Sequence, residues 1–85
     1  MSTEYQSIQV AATSHSSCDI HVVEEQHPLK THYSVYLRDK DGLCEHVEDF
    51  SCDHTLHQQA MARMQAVYLA ANLSMQHQVP IEPIE

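Results

Sequence analysis

Residues 54–76 form one long stretch with neither Gly nor Pro, and this stretch limits what the second half of the chain can become. It is rich in Ala, Leu, Met and Gln, which favour helices, and Val79-Pro80 ends it because Pro cannot continue a helix. Ser51 or Asp53 is the expected N-cap, with Thr55 as the weaker choice, because a side-chain oxygen accepts from a free amide of the first turn. We therefore expect one long C-terminal helix.

Apolar residues lie on two sides of this predicted helix. At about 100° per residue, a broad stripe suited to packing on a sheet contains Leu56, Ala60, Met64, Val67, Tyr68 and Ala71. A second, narrower stripe contains Ala62, Ala66, Leu69 and Leu73. One sheet face cannot cover both stripes, so we expect Leu69 and Leu73 to be covered by the N-terminal strand, by a partner chain or by a second copy of this chain.

The first half of the chain alternates apolar and polar residues with the period of two that is typical of strands. Residues 5–12 and 18–25 are predicted strands that pair antiparallel across a polar turn at residues 13–17. Residues 32–38 favour a third strand, and residues 39–42 place the single Gly of the chain where a hairpin needs positive φ. A fourth strand is expected to follow that turn.

The register of this hairpin depends on its turn. A two-residue turn would place Arg38 opposite Glu45, Tyr36 opposite Val47 and Tyr33 opposite Phe50. A longer turn would shift these pairs, and neither face of residues 43–50 is apolar enough to decide between them.

Together these elements predict an α+β fold, with an antiparallel sheet of three to four strands packed against one long C-terminal helix. With 85 residues, 42% of them hydrophobic, the chain can hold one core, and we assign a single domain to residues 1–79. Residues 80–85 alternate Pro, Ile and Glu and are expected to form an extended tail, with a frayed end as the preferred interpretation and docking on a groove as the alternative.

Charge and cysteine content bear on location and partners. The chain has twelve acidic and four basic residues, and its formal net charge of −8 would repel phosphate, which argues against direct nucleic-acid binding. An odd number of cysteines, three, and a polar start without a signal-peptide pattern indicate reduced thiols and a cytoplasmic protein. No stretch reaches the roughly 20 apolar residues of a membrane span, so no membrane contact is expected.

The acidic residues are concentrated in the predicted strands, the hairpin and the cap. The helix after Asp53 contains no acidic residue before Glu82. Such a distribution is typical either of solvated turns or of a negative surface that docks into the basic groove of another protein. The candidate partner-binding residues are Glu24, Glu25, Asp39, Asp41, Glu45, Glu48 and Asp49.

Eight His and three Cys residues raise the alternative of a zinc-binding domain, because imidazole and thiolate together suit zinc. The candidate ligands are Cys44, His46, Cys52 and His54. Their spacing contains no CxxC pair, so scattered surface histidines are the preferred interpretation, and no cofactor is expected.

Cys44 with His46 and Cys52 with His54 are also the pairs that nucleophilic catalysis would use. Neighbouring positions on one strand rarely form a cleft, so we expect a protein without enzymatic activity or catalytic residues.

The run from Tyr33 to Phe50, Tyr-Ser-Val-Tyr-Leu-Arg-Asp-Lys-Asp-Gly-Leu-Cys-Glu-His-Val-Glu-Asp-Phe, followed by a helix, resembles a pattern found in many short proteins carried by phages and mobile elements. Inhibitors of host defence, including anti-CRISPR proteins, are a recurring class among acidic proteins of that origin. The resemblance implies a non-enzymatic inhibitor in the host cytoplasm that binds a basic nucleic-acid-binding protein or complex. The remaining alternative is a homodimeric structural or adaptor protein that associates through Leu69 and Leu73.

Overall fold

The computed structural model describes residues 5–16, 19–27, 30–52 and 55–84. Over these residues the chain forms four strands followed by one helix. The elements are β1 (Tyr5–His15), β2 (Ile20–Val23), β3 (His32–Asp39), β4 (Cys44–Ser51) and α1 (Leu56–His77). The predicted α+β arrangement, an antiparallel sheet with a long C-terminal helix, is confirmed.

The strands form one antiparallel sheet in the order β2-β1-β3-β4, so β2 and β4 are its outer strands. Alternate residues of the two central strands face the helix and lie opposite one another in register: Ile8 with Leu37, Val10 with Val35, and Ala12 with Tyr33. All six are buried, and each large side chain removed from water in this way contributes about 1.5–3 kcal/mol. The apolar alternation of the first strand therefore builds the core as predicted.

The turn between β3 and β4 is longer than the two-residue turn of the sequence prediction. Asp39 N–H donates to the Leu43 carbonyl at 2.9 Å, which leaves three residues in the loop. Gly42 closes it with a φ of 85°, the left-handed conformation that Gly adopts without a steric cost. As a result Arg38 lies opposite Cys44 instead of Glu45.

A β-bulge at Val47 then restores the expected pairing. Tyr36 lies opposite His46, Val35 lies opposite Glu48, and Val47 is the extra residue between them. Beyond the bulge Tyr33 lies opposite Phe50, as predicted. The prediction was therefore right for one of three pairs, and the bulge is the reason that Phe50 faces the helix and packs on the core.

Helix α1 begins after Thr55, whose side-chain oxygen accepts from Gln58 N–H at 3.2 Å. Thr55 is therefore the N-cap, whereas Ser51 is the last residue of β4 and Asp53 lies outside the described residues. Gln78 takes the left-handed conformation at the other end, and its backbone N–H donates to the Ser74 carbonyl.

The helix packs on the sheet with the narrower of its two predicted stripes. Ala62, Ala66 and Ala70 are fully buried, and Leu69 and Leu73 pack beside them against the core. Alanine lets the helix axis approach the sheet closely, because the larger side chains of the strands already fill the space between them. Leu69 and Leu73 are therefore half-buried core residues that pack within their own chain, so neither a partner chain nor a second copy, two of the three covers named above, is required.

The broad stripe, which was predicted to face the sheet, faces outward instead. Leu56, Met64 and Tyr68 are 84%, 68% and 73% exposed. The error arose because the larger stripe was given to the sheet on the basis of its apolar area alone. Among the described residues, no helix is long and apolar enough to cross a membrane.

The C-terminal tail is attached to the sheet, which corrects the expectation of a frayed end. Ile8 N–H donates to the Pro80 carbonyl at 2.9 Å, and Glu82 N–H donates to the Ile8 carbonyl at 2.8 Å. Ser7 donates to the Glu82 carboxylate, and Ile84 packs on the core. Because β2 is short, it leaves this part of the outer edge of β1 open to the tail.

Candidate functional site

Four acidic residues, which we call the hairpin carboxylates, lie along β3, the turn and β4: Asp39, Asp41, Glu45 and Glu48. Asp39 ends β3, Asp41 lies in the turn, and both glutamates lie on β4 at the edge of the sheet. Lys40 is the one Lys or Arg residue within residues 39–48. The hairpin therefore carries much of the excess negative charge on an outer strand.

Two of the hairpin carboxylates also stabilise the fold. Asp39 Oδ1 accepts from the backbone N–H groups of Asp41 and Leu43 at 2.9 and 3.0 Å, which fixes the turn. The Tyr5 hydroxyl donates to Glu45 Oε2 at 2.5 Å, and this hydrogen bond is the main cause that raises the pKa of Tyr5.

The other two hairpin carboxylates, Asp41 and Glu48, are exposed. Within the part of the chain that the structure describes, their side chains make no hydrogen bond or ion pair. Their charge is not used to hold the fold together, so it remains available to another molecule.

The predicted partner-binding residues Glu24 and Glu25 follow β2, on the opposite edge of the sheet from β4. Glu24 is exposed, but Glu25 connects the sheet to the helix: Arg63 Nε donates to it at 2.6 Å and the Tyr33 hydroxyl donates at 3.1 Å. Burial and the charge of Glu25 raise the pKa of Tyr33 to about 12. Glu25 is therefore a structural residue, and the pair is separate from the hairpin carboxylates.

Asp49, the last of the predicted partner-binding residues, lies on the face of the sheet away from α1, which we call the open face. The Ser34 hydroxyl donates to Asp49 Oδ1, and the Nε2 atoms of His46 and His15 lie 2.9 and 3.8 Å from the same oxygen. Burial raises the pKa of Asp49, but these hydrogen bonds and imidazole charges outweigh it and hold the pKa below its ordinary value. Asp49 thus organises the open face.

The open face also holds a group of histidines, of which only His46 was a candidate in the sequence analysis. His15 and His32 stack with their ring centroids 3.7 Å apart, and the Tyr36 ring meets His46 edge-on. Burial, followed by the neighbouring His15, lowers the pKa of His32. These residues come from three different strands. The only sign of the group in the sequence was that each residue occupies one of the alternating strand positions that point away from the core.

The structure separates the four candidate zinc ligands. Cys44 and His46 share the open face, as predicted, whereas Cys52 is buried in the core on the helix side and His54 lies outside the described residues. Across the ranges that the structure describes, no three His, Cys, Asp or Glu residues are placed to hold a metal ion. The candidate set is therefore not brought together among the described residues, because Cys52 lies on the other side of the sheet from Cys44 and His46.

The predicted nucleophile pairs have other surroundings. Cys44 Sγ lies 3.9 Å from Gln9 Oε1, and the imidazole of His46 faces Asp49 and Tyr36.

Comparison of the chain with family models, with curated proteins and with solved structures finds no match. The function is therefore argued from the surfaces of the molecule alone.

Proposed function

We propose that this protein is a non-enzymatic binding protein that docks the hairpin carboxylates onto a basic surface of another protein. More specifically, we propose that it is an inhibitor of the anti-CRISPR type, carried by a phage or mobile element. Such an inhibitor would occupy the basic groove of a host nucleic-acid-processing complex. The observation that carries the proposal is the exposure of Asp41 and Glu48 without a partner in the described chain. This more specific proposal rests on the sequence resemblance.

Charge distribution supports this proposal. The four basic residues of the chain are Lys30, Arg38, Lys40 and Arg63. Three of them are engaged inside the molecule, since Arg38 pairs with Glu82, Arg63 pairs with Glu25, and Lys30 donates to the Glu25 carbonyl. The hairpin carboxylates are therefore offset mainly by Lys40, and a surface of one sign on an outer strand attracts Lys and Arg side chains of a partner.

The same residues have a competing explanation that does not involve a partner. Charged side chains on an outer strand prevent edge-to-edge pairing between copies, and this protects a protein from aggregation. The two explanations predict different results when the charge is reversed at the hairpin or at another exposed site.

The test compares two variants of equal charge. Asp41→Lys with Glu48→Lys changes the hairpin, whereas Asp19→Lys with Glu24→Lys changes exposed residues beside β2. Two reversals add four charges, so both variants move the formal net charge from −8 to −4. A partner is first captured from lysate of the source cell on immobilised wild-type protein and then purified.

Dissociation constants are measured for that partner between 50 and 300 mM salt, and its nucleic-acid-processing activity is assayed with and without the protein. We expect the hairpin variant to bind at least about 10-fold more weakly and with a shallower salt dependence, because close charge pairs become repulsive. The β2 variant should remain within about 2-fold of the wild type, since its charges lie outside the contact. Equal effects of the two variants would reject the hairpin as the binding surface, and unchanged partner activity would reject inhibition.

A further inference from the structure

The outward face of α1 carries apolar residues at a spacing that isolated surface residues do not show. We call the following residues the outer stripe: Met61, Met64, Tyr68, Ala71 and Met75. They recur at intervals of three and four residues, the heptad spacing at which one helix packs along another. Met61, Met64, Tyr68 and Met75 are 48%, 68%, 73% and 78% exposed.

The outer stripe lies on the opposite side of the helix from the residues that contact the sheet. Ala66 and Tyr68 are two residues apart, which corresponds to about 200° around the helix axis. Ala66 is fully buried, whereas Tyr68 points to solvent. The fold thus buries one apolar face of α1 against the sheet and leaves the other exposed to solvent.

A groove of about 550 Å³ adjoins the outer stripe on the side of β4. Phe50 forms one wall, and Met61, Met64 and Tyr68 form the other. A side chain from a helix lying along the outer stripe would enter this groove. The groove therefore extends the apolar surface from the helix to the outer strand.

Charge identifies the occupant. Helix α1 contains no Asp or Glu, and its one Arg or Lys residue, Arg63, is paired with Glu25. A chain of net charge −8 repels its own copies wherever carboxylates meet, so two copies can approach closely at a face that has none. The described chain contains a single helix, and a second copy brings one with the same neutral stripe.

We infer that the outer stripe is the interface of a homodimer, in which two α1 helices pack antiparallel across a two-fold axis at Tyr68. Residues 61 and 75 are each seven positions from Tyr68, so Met61 faces Met75 of the second copy and the two Tyr68 rings meet. Met64 is four positions from Tyr68 and Ala71 is three positions from it on the other side, so across the axis the two lie within one residue's rise of each other, a pairing of a large with a small residue that helix packing favours. This arrangement is self-complementary, as an isologous two-fold interface requires.

The size of this surface suits such a dimer. With the two-fold axis at Tyr68, residues 59–77 of the two helices lie alongside each other over about 28 Å, and with the groove beside it the face is about 20 Å wide, taking roughly 10 Å for each element. The face then projects about 560 Å², near the lower end of the roughly 600–1,000 Å² per partner that is usual for a specific interface.

The test is sedimentation equilibrium of the full chain, first as the wild type and then as two variants with equal charge. Tyr68→Glu changes the centre of the outer stripe. Leu56→Glu is the control, because Leu56 is 84% exposed on the same helix but lies outside the stripe, and an added Glu is tolerated in the first turn. Circular dichroism checks that both variants are folded.

The wild type is expected to sediment as a dimer at micromolar concentration. Tyr68→Glu should raise the dimer dissociation constant at least about 100-fold, since each dimer loses two central aromatic contacts and gains two facing charges. Leu56→Glu should change that constant less than about 3-fold. A wild type that stays monomeric at several hundred micromolar, or equal loss in both folded variants, would overturn the inference and leave the stripe to another protein.

Discussion

The replacement Ala66→Leu tests the contact between α1 and the sheet on which the whole fold depends. Ala66 has no exposed surface and lies between Ala62 and Ala70 on the face that touches the strands. A Leu there adds three carbons to a filled space, and overpacking of this kind costs about 1–3 kcal/mol. For a domain of 60–100 residues, a loss of about 2 kcal/mol lowers the melting temperature by roughly 8–16 °C.

The matched control makes the same replacement at Ala60. Ala60 lies on the same helix but is exposed, and it belongs to the stripe that the apolar pattern had assigned to the sheet. Because helix propensity changes equally in both variants, the difference between them reports packing alone. Urea and thermal unfolding at low protein concentration should show Ala60→Leu within about 0.5 kcal/mol of the wild type. A larger loss at Ala60 than at Ala66 would refute the observed orientation of the helix.

Two further predictions concern the turn and the histidines of the open face. Gly42→Ala should destabilise the fold by about 1–2 kcal/mol in urea unfolding, because the φ of 85° strains a residue with a Cβ, and Gly42→Asn should lose less; equal stability of all three proteins would contradict the turn geometry. His32 has a lowered pKa in the folded chain, so the folded state resists protonation and stability should fall as pH drops below about 6.5. His32→Phe keeps a flat ring against His15 but takes up no proton, and between pH 7.5 and 5.5 its melting temperature should fall less than that of the wild type; an equal fall would contradict the role of His32.

Sequence reasoning recovered those parts of the fold that local chemistry determines. The alternation through Ile8, Val10 and Ala12 identified a half-buried strand, and Gly42 marked the hairpin. Both signals act over a few neighbouring residues, so they are readable without knowledge of the tertiary contacts.

The errors arose where two distant segments decide the outcome. The bulge at Val47 reverses the parity of β4, so Glu48 shares a face with Glu45 and Asp49 joins His46, whereas simple alternation put Glu48 with His46. The local sequence pattern does not determine a bulge, because what stabilises it is a distant contact: the bulge places Phe50 in the core opposite Tyr33. The helix orientation was missed for a similar reason, since the space left by the strands suits alanine.

The candidate site was predictable in part. The concentration of carboxylates in the hairpin was visible in the sequence. Which carboxylates form hydrogen bonds or ion pairs within the chain was not. Glu25 is held by Arg63 and Asp49 is held by Ser34 and His46, and these contacts join residues that are far apart along the chain. The structure therefore reduces seven candidate residues to three carboxylates whose charge is free of internal contacts among the described residues, Glu24, Asp41 and Glu48, and only Asp41 and Glu48 lie on the hairpin.

Carboxyl footprinting of the complex with the captured partner tests the proposed function most directly. A carbodiimide reagent couples an amine to accessible Asp and Glu side chains, and mass spectrometry compares labelling with and without the partner. Labelling of Asp41 and Glu48 should fall several-fold in the complex, while Asp19 and Glu24, which are also exposed and lie beside β2 at the opposite edge of the sheet, should react as before. Unchanged labelling of Asp41 and Glu48, or protection of Asp19 and Glu24 instead, would contradict binding through the hairpin.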